Sequence, residues 1–226
     1  MVFIVSEIGL NHGGSLAKAK KMIVLSKEAG ASAVKFQVFD KEDYVREDIK
    51  KCWLSREQLK VLKEYADIVG IEWFATPEKP EHVDFLESLG VNKYKIRHTD
   101  CHNKELLKRV AATGKQVIIS VTEDVKASKI VDFFVGKSKH YPIVLHCPNG
   151  FPPKLNQIHL YELLMNGGFS NHYPGILPCL IAVAFEAKLL EVHVKLDDNC
   201  IDAGVSIDFN QLAELVKQAR QVEEML

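Results

Sequence analysis

What this chain lacks narrows its possibilities before any motif is considered. No stretch approaches the roughly 20 consecutive apolar residues that a membrane-spanning helix needs. The N-terminus has no basic region ahead of an apolar run, so no signal peptide is expected. Cysteine is sparse and odd in number: Cys52, Cys101, Cys147, Cys179 and Cys200 are widely spaced, with no CxxC pair. That argues against a disulfide framework and for reduced thiols in a cytoplasmic protein. Blocks of like charge are absent too. The 29 Lys and Arg residues offset 30 Asp and Glu residues for a net charge of -1, and all are scattered. Such a surface offers no stripe for nucleic acid and no membrane-binding face, which leaves a small solute as the expected partner. No linker or low-complexity tract divides residues 1–226, so one domain is expected, and 47% hydrophobic content is ample for its core.

What is present is a regular alternation of short apolar runs with amphipathic stretches. Strands are expected at "FIVSEI", "AVKFQV", "EWFAT", "KYKIR", "QVIIS", "IVLHC", "GFS" and "LLEVHV", each followed by a helix. The seventh, within "GGFSN", has two glycines and little β-branched content, so its limits are the least defined. Eight βα repeats with right-handed crossovers in a chain of 226 residues predict an α/β fold, a closed (β/α)8 TIM barrel rather than an open doubly wound sheet.

Polar residues recur where these strands end. Glu7 follows the first, within "SEIGLNHGG", whose Asn11 and His12 continue the polar run; His12 is read as shaping that loop rather than as a base. Lys35 and Gln37 mark the second strand, Thr76 the third, Lys95 and Asp100 the fourth and Ser120 the fifth. His146 and Asn149, then Ser170 and His172, then His193 complete the set. In a barrel these ends converge on one mouth, where active sites of this fold lie. Lys35 and Lys95 sit inside apolar runs, and burying an ammonium group requires an anionic partner, so the two together imply an anion.

The segments "SEIGLNHGG", "AGASAVKFQ", "FATP", "YKI", "GKQVIIS", "LHCPNGFP", "GFSNH" and "LLEVHV" occur in this order along nearly the whole chain. With them the chain resembles the sialic acid synthase family, which includes N-acetylneuraminate, legionaminate and pseudaminate synthases and related spore-coat polysaccharide proteins. The resemblance implies a (β/α)8 barrel that joins phosphoenolpyruvate to the open-chain aldehyde of an N-acetylated hexose. A divalent metal assists, and phosphate and a nine-carbon 2-keto acid are released. Lys35, Thr76, Lys95, Ser120, Asn149 and Ser170 match the family's phosphoenolpyruvate positions. Their ammonium, hydroxyl and amide donors suit a phosphate and a carboxylate. His172 and His193 match the metal positions, and two imidazoles favour a transition ion such as Mn2+ over Mg2+. Glu7, Gln37, Asp100, Phe151 and Asp202 match sugar-side positions; Glu7 and Asp100, with Lys35 and Lys95, are the expected catalytic groups.

Departures from the family pattern are concentrated on the acceptor side. After "YKI" comes "RHTD", so that Arg97 and His98 stand where the family has a small residue and a phosphate-binding serine. "SVT" replaces the usual "STG", Phe151 replaces a tyrosine, and Asn171 replaces the aspartate of "SDH". Relatives of this kind continue into an antifreeze-like domain that covers the partner's barrel in a homodimer, whereas the present sequence ends at Leu226 after the eighth helix. A separate lid protein is one expectation that follows. The alternatives are a synthase for a different aldose, including a sugar phosphate met by Arg97, and a noncatalytic ligand-binding or assembly barrel.

Overall fold

The computed structural model describes residues 1–122, 127–137, 139–160 and 167–226. Strand β1, Phe3–Gly9, is buried along nearly its whole length, as a strand covered on both faces must be. Seven more follow: β2 Ala33–Val38, β3 Glu72–Pro77, β4 Lys93–Ile96, β5 Gln116–Val121, β6 Ile143–His146, β7 Gly167–Asn171 and β8 Leu189–His193. All pairings are parallel, in sequence order, and β8 pairs back onto β1, closing the barrel. The expected fold and all eight strands are therefore present.

Helices α1 (Leu16–Glu28), α2 (Glu47–Lys50), α3 (Arg56–Val69), α4 (Pro80–Ser88) and α5 (Lys104–Ala111) join the first strands. Then come α6 (Ala127–Phe134), α7 (Leu177–Ala184) and α8 (Phe209–Glu224). Reciprocal capping boxes start two of them, Ser55 with Gln58 at α3 and Asp208 with Gln211 at α8. The helix expected between β6 and β7 falls partly on residues 161–166, outside the described residues; the described part of that segment holds a short 3-10 turn at Leu155–Gln157. No described helix is long and apolar enough to cross a membrane.

The core has two parts. Between strands and helices lies the larger one, with Ile4, Phe36, Trp73, Tyr94, Ile119, Phe169 and Leu190 on the outer faces of the strands. Inside the barrel a separate apolar cluster, Val5, Ala33, Phe74, Ile118, Leu145 and Leu189, fills the lumen. One glycine of β7 has a packing reason: a Cβ on Gly168 would lie 2.4 Å from Leu145 Cδ2 and 2.5 Å from the Leu189 carbonyl oxygen. That strand can sit this close to its neighbours only without a side chain.

Candidate active site at the barrel mouth

Because side chains alternate across a strand, the residue two places beyond each floor residue also faces the lumen. Val5 is followed by Glu7, Ala33 by Lys35, Phe74 by Thr76, Ile118 by Ser120, Leu145 by Cys147 and Leu189 by Glu191. A polar storey thus stands on an apolar floor. β4 and β7 add Lys95 and Ser170, and above them opens a cavity of about 430 Å³.

Eleven of the thirteen expected site residues line this cavity: Glu7, Lys35, Gln37, Lys95, Ser120, Asn149, Phe151, Ser170, His172, His193 and Asp202. Thr76 and Asp100 do not. Thr76 is fully buried and accepts a hydrogen bond from Lys35 Nζ at 3.2 Å. Asp100 is gripped by Arg97, with Nε to Oδ2 at 2.6 Å and Nη2 to Oδ1 at 3.1 Å. His146, expected at the mouth, is stacked instead against Phe169, a residue of the outer core.

The buried lysines find anionic partners inside the protein. Lys35 Nζ is 2.9 Å from Glu7 and 3.8 Å from Glu191, while Lys95 Nζ is 3.6 Å from Glu191. Two ammonium groups therefore share two carboxylates. Burial pushes the Glu7 carboxyl up to about 7, against the pull of Lys35 and with Glu191 adding to the rise. Burial acts on Glu191 in the same sense, but Lys35 and Lys95 outweigh it and hold that carboxyl below its usual range. Glu191 was missed by the sequence reading. The signal available was its place two residues before His193 in "LLEVHV", on the same face of the strand.

The first βα loop now explains its polar run. His12 Nδ1 accepts from the Gly14 amide at 3.0 Å, and its ring stacks on Phe36, so it shapes the loop as expected. Asn11 donates to the Val194 carbonyl at 2.7 Å and to Ser206 Oγ at 2.9 Å, and accepts from the Asp202 amide at 3.0 Å. It thereby ties the first loop to the last and sets Asp202 at the rim.

His172 and His193 meet on the other side of the mouth, ring centroids 5.1 Å apart, with the Phe151 ring edge-on at 5.0 Å and 6.1 Å. Burial lowers His172 to about 4 and, with His172 beside it, takes His193 well below its ordinary value, so both are neutral imidazoles with a lone pair to offer. His193 Nδ1 is buried without a hydrogen-bond partner and lies 3.7 Å from Asp202. Among the described residues no group of three or more His, Cys, Asp or Glu side chains is arranged to hold a metal ion. The donor set fits a cation held by two imidazoles, with its other positions left to water and substrate. Arg97 is neutralised by Glu78 at 2.5 Å as well as by Asp100, and Tyr44 joins the same cluster through Glu78 at 2.6 Å.

The fold is a closed (β/α)8 barrel, and its buried lysines and its histidine pair line one cavity at the mouth, where active sites of this fold lie. The chain belongs to the NeuB family, whose family model matches residues 22–226. It is 31% identical to the N-acetylneuraminate-9-phosphate synthase of Homo sapiens over 99% of this chain and 71% of that protein. It is 29% identical to the N,N'-diacetyllegionaminic acid synthase of Legionella pneumophila over 99% of this chain and 73% of that one. The crystal structure of the N-acetylneuraminic acid (sialic acid) synthetase of Leptospira borgpetersenii, in complex with citrate, superposes with a TM-score of 0.93 at 31% identity, covering 99% of this chain and 84% of that one.

Proposed function

We propose that this barrel condenses phosphoenolpyruvate with the open-chain aldehyde of an N-acetylated hexose, of the N-acetylmannosamine kind, giving a nine-carbon 2-keto acid and phosphate. The observation that carries the reading is the division of one cavity into a lysine side and a histidine side. On the lysine side, Lys35 and Lys95 meet phosphate and carboxylate oxygens, and Ser120 and Asn149 donate to the remaining lone pairs, while Ser170, whose hydroxyl is given to Glu191 at 3.2 Å, lines the same side. Ser120 Oγ is buried and has no hydrogen-bond partner, as a donor reserved for a ligand would be. On the histidine side, His172 and His193 hold a divalent cation, Mn2+ in our reading, which supplies Lewis-acid polarisation of the aldehyde when bound.

C3 of phosphoenolpyruvate forms the new bond to the aldehyde carbon, whose oxygen becomes a hydroxyl. Water adds at C2, and cleavage of the C2–O bond releases phosphate and leaves the keto group. Glu7, pushed up to about 7 by burial and set 3.4 Å from Gln37 Nε2, is the group suited to hold or pass a proton near neutral pH. Asp202 and Gln37 orient the sugar hydroxyls, and Phe151 covers its apolar face. Arg97, the candidate for meeting an acceptor phosphate, is paired with Glu78 and Asp100.

The test is phosphate release from phosphoenolpyruvate with Mn2+ across a panel of N-acetylhexosamines and plain aldoses. Turnover only with an N-acetylated hexose is the expected result, and turnover only with another aldose moves the acceptor. Phosphoenolpyruvate binding without release from any member of the panel would establish the noncatalytic barrel instead.

A further inference from the structure

Asn11 and Ser206 are buried polar side chains that do not line the cavity and have no part in the reaction above. They close a ring around one residue, Asp202. Asn11 Oδ1 accepts from the Asp202 amide at 3.0 Å, Ser206 Oγ donates to the Asp202 carbonyl at 2.7 Å, and Asn11 Nδ2 donates to Ser206 Oγ at 2.9 Å. The remaining Nδ2 proton goes to the Val194 carbonyl at 2.7 Å, a group that can only accept, so the carboxamide has one orientation. The hydroxyl likewise spends its single proton on Asp202 and takes one from Asn11.

The ring matters because of where Asp202 sits. The connection from β8 to α8 is tied at its feet, where Lys195 and Ile207 exchange backbone contacts with the body of the sheet and Val205 is buried. Residues 197–204 run between those feet. Among the described residues, Asn11 makes the one hydrogen bond that reaches this excursion from outside the connection. Lys18 meets Asp197 at 4.0 Å, but both side chains are exposed and such a pair holds little. The Asp202 carboxyl, mostly buried, lines the cavity at its sugar side.

We infer that Asn11 and Ser206 are positioning residues that set the affinity for the sugar: by gripping Asp202 at both its N–H and its C=O, they aim its carboxyl into the cavity without touching the ligand. The inference rests on the sugar-side role of Asp202 in the proposed function. Small displacements of an orienting group are costly, up to about 100-fold for roughly 1 Å. The effect is confined to the sugar, because Lys35, Lys95 and Ser120 stand on β2, β4 and β5, which the ring does not touch.

The experiment compares Asn11→Ala, Ser206→Ala, Asp202→Ala and the double variants with Asp202→Ala, all in the full chain. Phosphate release is followed against N-acetylmannosamine and against phosphoenolpyruvate. Asn11→Ala should raise the sugar KM by about 10- to 100-fold, and Ser206→Ala should raise it less. The phosphoenolpyruvate KM should stay within about twofold, and each double variant should be no worse than Asp202→Ala alone, since the ring acts through that residue. Equal rises in both KM values, or losses that add in the double variants, overturn the inference. If Asn11→Ala does not fold, Ser206→Ala decides by the same cycle, because it keeps the Asn11 bonds to Val194 and to the Asp202 amide. Amide hydrogen exchange of the ligand-free chain supplies a readout that needs no turnover: the Asp202 amide should exchange faster in Asn11→Ala while α8 keeps its protection, and unchanged exchange overturns the ring. A wild-type chain that releases phosphate with no sugar overturns the acceptor reading, and faster exchange in the variant would still show the ring holding Asp202.

Discussion

Arg97, just past the end of β4, reaches Glu78, just past the end of β3, at 2.5 Å, across a seam where the two strands share one registered pair, Ala75 with Tyr94. Lys93 and Glu72 cross the same seam at its other end, 2.9 Å apart. Backbone pairing is thin there, and side-chain charges at both ends supplement it. Arg97→Ala leaves Glu78 and Asp100, both mostly buried, without their cation. It should destabilise the fold by about 2 to 4 kcal/mol, below the upper values for fully buried pairs, because Arg97 itself is partly exposed. Urea unfolding measures this; an unchanged midpoint would show that the pairs merely decorate the seam.

Lys35 serves the fold and the ligand at once, and the two roles can be separated. Lys35→Met strands Glu7 and should cost about 3 to 5 kcal/mol of stability as well as phosphoenolpyruvate binding. The double variant Lys35→Met/Glu7→Gln should recover most of the stability and none of the binding. Recovery of both in the double variant would mean that the lysine does not touch the anion.

His172→Ala and His193→Ala should each abolish Mn2+ binding while leaving the thermal transition close to wild type, since each removes one of two imidazole donors. Titration calorimetry reads the effect directly. Unchanged affinity in both variants would falsify the histidine site.

Asp202 gives a pH signature in the metal-free protein. Burial raises its carboxyl from 3.8 to about 6, so between those values the folded chain holds a proton that the unfolded chain has released. Stability should therefore fall as pH rises through that window, by up to about 3 kcal/mol, and stay lower above it. Asp202→Asn removes this contribution: the variant should be more stable than wild type at pH 8 and equal to it at pH 3. Curves that run parallel from pH 3 to pH 8 would show that the group titrates as an ordinary carboxylate.

The strands were legible because each is a short apolar run between polar breaks, and even "GGFSN" forms β7 where it was expected. Parity was the harder part. In "IVLHC" the histidine looked like the functional side chain, but counting in twos from Leu145 turns Cys147 inward, while His146 stacks on Phe169 of the outer core. The same count from His193 would have found Glu191. The rule that a buried lysine needs an anion was sound, yet it could not say which anion. Glu191 and Lys35 are remote in sequence and meet only once the barrel has closed. Asp100 matched a sugar-side position, and Arg97, three residues before it, takes both of its oxygens.

The apolar floor makes the barrel a blind well. Among the described residues, Val5, Ala33, Phe74, Ile118, Leu145 and Leu189 fill the lumen beneath the cavity, whose rim includes Asn149 and Phe151. In the proposed reaction, whatever settles on the lysines has to arrive before the sugar, and the deepest product has to leave last. Occupancy of the upper berth then governs escape from the lower one. An unreactive sugar lodged beside Phe151 would slow the departure of the anion beneath it without touching it.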